Sequence, residues 1–237
     1  MAFTLIAHTG AQSADGTSAT TPGINTTGAA LITAAIASIH GQTAPMSDSN
    51  GNTWTALTPR DNPSSPTLTI YYVVNPSVGA GHTFSANAGG GSSRFPSITV
   101  TAWSGQAGSP FDVENGGFSS GTSQDTGNTM PTATNSLLVA AAGHSEVFAS
   151  SIDSGFTISD DENGASSLAF GNVMAYLVET SVVAQDPNFS GDGSTHGWAA
   201  AIAVFKSADG VVPSIGAAAS PFYRIKGWKY YSYARGV

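Results

Sequence analysis

Short apolar runs separated by turn-forming residues dominate the chain, and the strongest of these runs occurs twice. Residues 28–38 read GAALITAAIAS, and residues 135–145 read NSLLVAAAGHS. Each run follows a stretch of Thr, Asn, Ser or Gly, which is typical of a strand buried on both faces. We align Leu31 with Leu138, so the two runs predict equivalent strands in two halves of the chain.

The elements that follow the first run also follow the second, in the same order. In the first half, apolar or alternating patterns predict strands at Phe3–Ala7, Ala29–Ser38, Thr67–Val74, His82–Ala86 and Ser97–Ser104. In the second half, the corresponding patterns lie at Asn172–Glu179, Phe189–Ser190 and Trp198–Phe205. Four elements repeated at a nearly constant offset favour an internal duplication over chance similarity.

Composition supports an all-β fold. Charged residues make up only 9% of the chain and Gly occurs 28 times, so the residues that build solvated helices are scarce. We predict an antiparallel jelly-roll-like β-sandwich, built from the internal duplication and spanning residues 1–207. Residues 208–237 are predicted to form a linker and an extended C-terminal segment. Two tandem sandwiches are the alternative; the absence of a linker at residues 105–125 favours one composite sandwich.

The net charge of −8 is unevenly distributed along the chain. Residues 1–205 hold all but one of the 15 acidic residues and only two of the seven basic ones. An acidic body repels phosphate, so we expect no nucleic-acid partner. The sequence lacks both a membrane-length apolar run and a signal-peptide pattern, so we expect no membrane partner and synthesis in a cytoplasm. Without cysteine it offers neither a disulfide nor a thiolate metal site.

The C-terminal segment, residues 222–237, has the opposite character. It reads FYRIKGWKYYSYARGV and contains four of the seven Tyr and four of the seven basic residues. Disordered segments are poor in aromatic residues, whereas Tyr, Trp and Arg are enriched where proteins dock. We therefore predict that this segment anchors the chain to a partner. The predicted docking residues are Phe222, Tyr223, Arg224, Lys226, Trp228, Lys229, Tyr230, Tyr231, Tyr233 and Arg235.

One loop offers candidate ligand-binding residues, namely Asp48, Asn50 and Trp54. The Asp-x-Asn-x-Asn spacing that begins at Asp48 opens calcium loops, but Thr53 replaces the usual Gly and no closing Glu follows. Asn50-Gly51 is also a strong type I′ hairpin signal, which explains these residues as a turn. The acidic run at 160–162 is a second, equally unspecific candidate for calcium. We predict no cofactor and no metal ligand set.

Catalytic motifs are weak. Residues 117–121 match G-x-S-x-G, but both flanks resemble Gly/Ser/Thr-rich loops, whereas a nucleophile elbow needs a strand before it and a helix after it. Asp112 and Glu114 also fall in an apparent loop, without a convergent partner. Trp103 and Trp198 lie in apolar runs and are predicted to pack in the core. We therefore predict no catalytic residue and no enzymatic activity.

Several motifs together resemble a β-sandwich module of tailed-bacteriophage virion proteins, of the minor tail, appendage or decoration type. The resemblance covers residues 29–207. The motifs that carry it are Leu31–Ala37, Asn50–Trp54, Ile70–Pro76, His82–Phe84 and Thr101–Val113. It implies a non-enzymatic part of a virion, structural or host-binding, with other virion proteins as partners, and it brings no catalytic residue with it.

These observations lead to two functional expectations. The first is a virion structural protein, either a tail or baseplate appendage or a capsid-decorating subunit, which forms a homo-oligomer and docks through its C-terminal segment. The alternative is a module that binds carbohydrate or a host receptor, with a host-surface glycan as its partner. A β-sandwich hydrolase is the least supported class, because no catalytic cluster is visible in the sequence.

Overall fold

The computed structural model describes residues 2–13, 16–63, 66–87, 94–145, 150–163 and 170–212. In chain order its strands are β1 Thr4–Gln12, β2 Ser18–Thr20, β3 Leu31–Ser38, β4 Met46–Asp48, β5 Thr55–Ala56, β6 Arg60–Asp61, β7 Thr67–Val74, β8 Phe84–Asn87, β9 Ser97–Ser104, β10 Gln106–Gly121, β11 Ser123–Asp125, β12 Ser136–His144, β13 Ser151–Ile152, β14 Thr157–Glu162, β15 Gly171–Glu179, β16 Asn188–Ser190 and β17 His196–Ser207. All ladders between these strands are antiparallel, which confirms the predicted all-β class. Within these ranges, no helix is long and apolar enough to cross a membrane.

Each half of the chain builds one large and one small sheet with the same strand order. In the first half the large sheet runs β1-β9-β3-β7-β5, with β6 also paired to β7, and the small sheet runs β2-β8-β4. In the second half the large sheet runs β10-β17-β12-β15-β14, and the small sheet runs β11-β16-β13. Each strand of the second half therefore has a counterpart at the same place in the first.

The two large sheets pack face to face, and the small sheets cover their outer faces. The central core between the large sheets includes Leu31, Ile70 and Trp103 from the first half and Leu137 and Phe205 from the second. Two outer cores lie between each large sheet and its own small sheet. Because both faces of the central strands are buried, their sequences are apolar with little alternation.

This four-layer arrangement combines the two architectures that the sequence left open. Each half forms its own pair of sheets, as two tandem sandwiches would. The two halves nevertheless share a buried core, as expected of one composite body. Gly105 alone separates β9 from β10, and its φ of 100° is a conformation that favours glycine.

The contacts between the halves are reciprocal. β7 contacts β17 while its counterpart β15 contacts β9, and β1 contacts β14 while its counterpart β10 contacts β6. Tyr72 packs edge-on against Phe205 with ring centroids 5.4 Å apart, and Tyr176 packs in the same way against Trp103 at 4.9 Å. The two halves therefore contact each other in the manner of an isologous, two-fold-related pair.

The sheet register corrects our alignment of the two repeated runs by one residue. Leu31 pairs with Trp103 and Leu137 pairs with Phe205, and all four side chains belong to the central core. Leu138, which we aligned with Leu31, belongs instead to the outer core of the second half. Successive side chains of a strand point to opposite faces, so a shift of one residue exchanges the faces. Since both faces are apolar here, the sequence does not distinguish the two alignments.

The Asn50-Gly51 turn is not the type I′ hairpin that we predicted. A type I′ turn needs a positive φ at both central residues, but only Gly51 has one, of 72°. The Gly51 N–H donates to the Asp48 carbonyl at 3.3 Å, and the chain then passes from β4 in the small sheet to β5 in the large sheet. The turn therefore connects two layers and does not join neighbouring strands.

Small residues let the large sheets approach closely where β3 and β12 meet, near the ends of both strands. A Cβ atom on Gly143 of β12 would lie 2.8 Å from the Cβ of Ala37 on β3 and 3.5 Å from that of Pro66. A carbon–carbon separation of 2.8 Å is well inside van der Waals contact. Glycine at this position therefore sets how closely the two halves can pack.

We predict that Gly143→Ala destabilises the protein by about 1–3 kcal/mol, because the added methyl group overpacks the central core. Ala37→Gly, which alone costs about 1 kcal/mol, should relieve that clash in the double variant. Urea denaturation of the four proteins should give a favourable coupling of about 1 kcal/mol or more. Strict additivity would show that the two halves do not meet at this point.

Candidate functional site

The ten predicted docking residues, from Phe222 to Arg235, lie outside the described residues. The described chain ends at Val212, five residues after β17. The docking role of these ten residues stays a prediction.

The carboxylate of Asp48 holds the turn after β4 together. Its Oδ2 accepts the indole N–H of Trp54 at 2.7 Å, and its Oδ1 accepts the backbone N–H groups of Asn50 at 2.8 Å and Asn52 at 3.3 Å. His82 Nε2 lies 3.2 Å from Oδ1, and both side chains are fully buried. Burial alone would raise the pKa of Asp48, but hydrogen bonds from Trp54, Asn52, Asn50 and His82 outweigh it and lower the pKa.

Further hydrogen bonds tie this turn to the loop after β7. The Asn52 side chain accepts the Ser77 N–H at 2.7 Å and donates to the Ser77 carbonyl at 3.1 Å. The Asn50 amide donates to the same carbonyl at 3.1 Å. His82 Nδ1 lies 2.9 Å from the Thr26 hydroxyl. Hydrogen bonds therefore connect the turn to the segment before β3, through Thr26, and to the segment after β7, through Ser77.

These contacts account for the Asp-x-Asn-x-Asn spacing without a bound metal. N–H donors, which repel a cation, surround the Asp48 carboxylate. The Trp54 ring is partly buried and packs edge-on against Phe84, with centroids 6.2 Å apart. Within the described part of the chain, no group of three His, Asp or Glu side chains is placed to hold a metal ion. Ligand binding by Asp48, Asn50 and Trp54 stays a prediction.

Two seams between the halves carry further polar contacts. We call the contact of β10 with β6 and β7 the first seam, and the contact of β1 with β14 the second seam. Gly116 on β10 and Gly10 on β1 occupy matching positions of their sheets. Each leaves room for a charged side chain from the other half, Arg60 beside Gly116 and Glu162 beside Gly10. The seams are therefore alike in form but differ in charge.

In the first seam, hydrogen bonds hold the edge strand β10 to the first half. The Glu114 carboxylate accepts the Thr58 hydroxyl at 2.8 Å and the Thr58 N–H at 3.1 Å, and Arg60 Nη2 lies 3.7 Å from it. The Asn62 amide donates to the Ser119 carbonyl at 2.8 Å. These contacts join the halves between Glu114 and Ser119 of β10.

The G-x-S-x-G match at 117–121 lies within β10, so our prediction of loop flanks there was wrong. Asp112 and Glu114 also lie in β10 and not in a loop. Asp112 accepts the Thr132 hydroxyl at 2.6 Å and lies 3.5 Å from Lys206 Nζ. The ladder with β17 continues through the motif, so its serine is not held on a strained strand-to-helix turn.

The second seam is a cluster of partly buried carboxyl groups. Asp160 Oδ2 lies 3.0 Å from His8 Nδ1, and Asp161 accepts the Ser150 N–H at 2.7 Å. Burial raises the pKa of Asp160 and of Asp161, and His8 and Ser150 only partly offset it. Burial, together with repulsion from Asp160 and Asp161, raises the pKa of Glu162. Ionisation of this cluster therefore opposes the packing of β14 against β1.

A groove of about 400 Å³ opens in the first seam, between β7 and the beginning of β10. Its floor includes Tyr72, which stacks on Phe111 with ring centroids 5.6 Å apart and an interplanar angle of 10°. Thr53, Thr55 and Ser109 place hydroxyl groups around the opening. An aromatic floor with a polar rim suits a flat or aromatic ligand.

Hydroxyl side chains form a row across the small sheet of each half. The two rows are Thr20–Ser85–Ser47 and Ser123–Ser190–Ser151. Neighbouring hydroxyl oxygens lie 2.8 Å apart in each, between Thr20 and Ser85 and between Ser151 and Ser190. A cavity of about 480 Å³ lies over the second row.

The structure confirms two of the sequence predictions, but sequence reasoning missed other residues of the site. Trp103 and Trp198 are fully buried, as predicted for core residues. It missed His82 as the partner of Asp48, and it missed the groove, because Tyr72 and Phe111 come from different halves. The one signal for the groove was the bulge-forming Gly-Ser-Pro before Phe111, which interrupts the pattern of a strand.

Comparisons with known proteins identify no relative: no family model, no curated protein and no solved structure matches the chain. The relation to bacteriophage virion proteins therefore rests on the sequence motifs and stays a prediction.

We predict that Asp48→Asn destabilises the protein at pH 7 by about 3 kcal/mol, because it removes a buried charge that several donors surround. A carboxyl group whose pKa is lowered on folding stabilises the protein above its unfolded pKa, and this contribution disappears as the pH falls through the folded pKa. The difference from the wild type in urea denaturation should therefore shrink below the ordinary Asp pKa of 3.8. A difference that stays constant down to pH 2 would contradict this role. Asp186→Asn, at an exposed site where burial and the neighbouring Asp125 raise the pKa, is the control and should not show this loss.

We predict that Glu162→Gln and Glu114→Gln have opposite effects at pH 7. Glu162 has a raised pKa, so its contribution to stability is present below the ordinary value of 4.5 and is lost as the pH rises through the folded pKa. Glu162→Gln should thus stabilise the protein by about 0.5 kcal/mol above that range, allowing for solvent screening, and have no effect at pH 4. Glu114→Gln should destabilise it, because its carboxylate accepts two hydrogen bonds from Thr58. Thermal melts at both pH values measure this, and destabilisation by Glu162→Gln would refute the account.

Proposed function

We propose that this chain is a non-enzymatic structural component of a bacteriophage virion, either a tail or baseplate appendage or a capsid-decorating subunit. In this proposal the β-sandwich body is displayed outward, and residues 222–237 dock it onto another virion protein. The chain would act as one copy of a homo-oligomer. The sequence motifs that resemble tailed-phage modules support the assignment to a virion.

The contrast between body and C-terminal segment is the observation that carries this proposal. The body is acidic, because residues 1–205 hold 14 of the 15 acidic residues and only two of the seven basic ones. The C-terminal segment is basic and rich in Tyr and Trp, the residues that dominate binding energy at protein interfaces. An assembly of identical chains would bring basic segments close to acidic neighbours, and such contacts weaken as salt rises.

We further propose that the body arose by internal duplication of a jelly-roll-like sandwich. The same strand order in both halves and their reciprocal contacts support this origin. Sheets that pack face to face lie about 10 Å apart, so four layers give a body about 30 Å thick between its outer sheets. A short, closed body of this kind suits a protein that projects from a particle surface.

Binding of a host-surface glycan is the second candidate function. The hydroxyl rows on both outer sheets favour it, because they expose matching sets of hydrogen-bonding groups at opposite ends of the four layers. The cavity over the second row also contains Asp153 and Asn188, which can bond to sugar hydroxyls. A displayed virion protein could carry this function as well.

The test is the protein content of purified particles of the virus that encodes the chain. Mass spectrometry should find the chain in particles at a fixed ratio to the major capsid protein. A virus with Arg224→Gln, Lys226→Gln, Lys229→Gln and Arg235→Gln should incorporate it at least about ten-fold less, since each lost ion pair contributes up to about 1 kcal/mol. Asp192→Asn with Asp209→Asn, two exposed changes outside the segment, is the matched control.

Absence of the wild-type chain from particles would refute the virion proposal. Equal incorporation of the neutralised variant would refute docking through the C-terminal segment. A chain that is absent from particles but retained on host polysaccharide, and released by Ser151→Trp or Ser190→Trp, would support the glycan-binding function instead.

A further inference from the structure

The groove in the first seam exists because β10 breaks the two-fold relation of the halves. Gln106 pairs with Ser207 and Phe111 pairs with Phe205, so residues 107–110 bulge away from β17. The counterpart strand β1 has only a small irregularity, between Leu5 and Ala7. The extra residues of β10 move its backbone away from the ladder with β17 and open the groove beside Tyr72.

Strand β17 ends next to this groove, and the described chain then continues to Val212, with the Val211 N–H donating to the Thr134 hydroxyl at 3.1 Å. Ser207, the last residue of β17, pairs with Gln106, which lies two residues before the groove wall at Gly108. The Gln106 side chain donates to Asn75 at 3.3 Å, and Asn75 follows Val74, which lines the opposite wall. The end of β17 and both walls of the groove therefore meet at one end of the first seam.

The C-terminal segment can reach the groove and matches it chemically. Nine residues separate Val212 from Phe222, and an extended chain of that length spans up to about 30 Å. Tyr and Trp side chains stack on aromatic floors such as Tyr72–Phe111, while their polar atoms bond to surrounding hydroxyl groups. The segment is basic and the body acidic, so electrostatic attraction also favours the contact.

We propose that the groove between β7 and the bulge of β10 is the binding site for the C-terminal segment, residues 222–237, of the same chain. The tether keeps the segment at a high effective concentration beside the groove, which favours its own body over a second copy. Residues 107–110, outside the ladder, would lie along the bound segment. The aromatic side chains of the segment are then covered until a partner displaces them. This contact does not depend on whether the chain is part of a virion.

Cysteine cross-linking tests this contact in the full-length protein, because the chain has no native cysteine. Ser109→Cys places a thiol on the exposed groove wall, and Ser232→Cys places one within the Tyr-Tyr-Ser-Tyr run. A short bismaleimide should join them within one chain at least about ten-fold faster than it joins Ser120→Cys to Ser232→Cys. Ser120 is an exposed serine on the same strand outside the groove, so the second pair is a matched control.

A second readout uses trypsin on the full-length protein, without cross-linking. Cleavage after Lys226 and Lys229 should be slow in the wild type and faster in Thr55→Trp, whose added ring fills the groove. Equal cross-linking of the two cysteine pairs, or unchanged cleavage in Thr55→Trp, would overturn the proposed site. Cross-links found only between two chains would overturn the assignment to the same chain and identify a second copy as the occupant.

Discussion

The mutual burial of the two large sheets is the constraint on which the rest of the structure depends. Each sheet has two apolar faces, and its small sheet covers only one of them. Neither half can therefore remain in water alone without exposing the face that holds Leu31 and Trp103, or Leu137 and Phe205. Small residues such as Gly143 and Ala37 bring the sheets close where β12 meets β3, and the aromatic pairs Tyr72–Phe205 and Tyr176–Trp103 pack where β7 meets β17 and where β15 meets β9. The body is thus a pseudo-dimer within one chain.

The most distinctive chemistry lies where the two halves differ. Symmetry between them places a glycine of each edge strand beside a charged side chain of the other half, but one seam holds Arg60 with Glu114 and the other holds three carboxyl groups with His8. The bulge of β10 opens a groove on one seam beside the end of β17.

Sequence patterns predicted the elements better than their arrangement. The apolar runs and the repeat at 135–145 predicted the central strands and their order along the chain, because a strand buried on both faces leaves a strong local signal. The sequence could not tell Leu137 from Leu138 as the counterpart of Leu31, since the two faces are equally apolar. It also missed the partnership of Asp48 with His82 and that of Tyr72 with Phe111, because these residues are distant along the chain and meet only through the packing of layers. The seams, made from two halves, leave no local pattern.

The central claim is that the two halves form one cooperative body through the central core. Native-state amide hydrogen exchange measures this directly, because it reports the opening free energy of each strand separately. We expect the amides of β3 and β9 to exchange at the same slow limit as those of β12 and β17, and to lose protection together as denaturant is added. Exchange of one half while the other stays protected would show that the halves are independent sandwiches, and that the shared core does not control the fold.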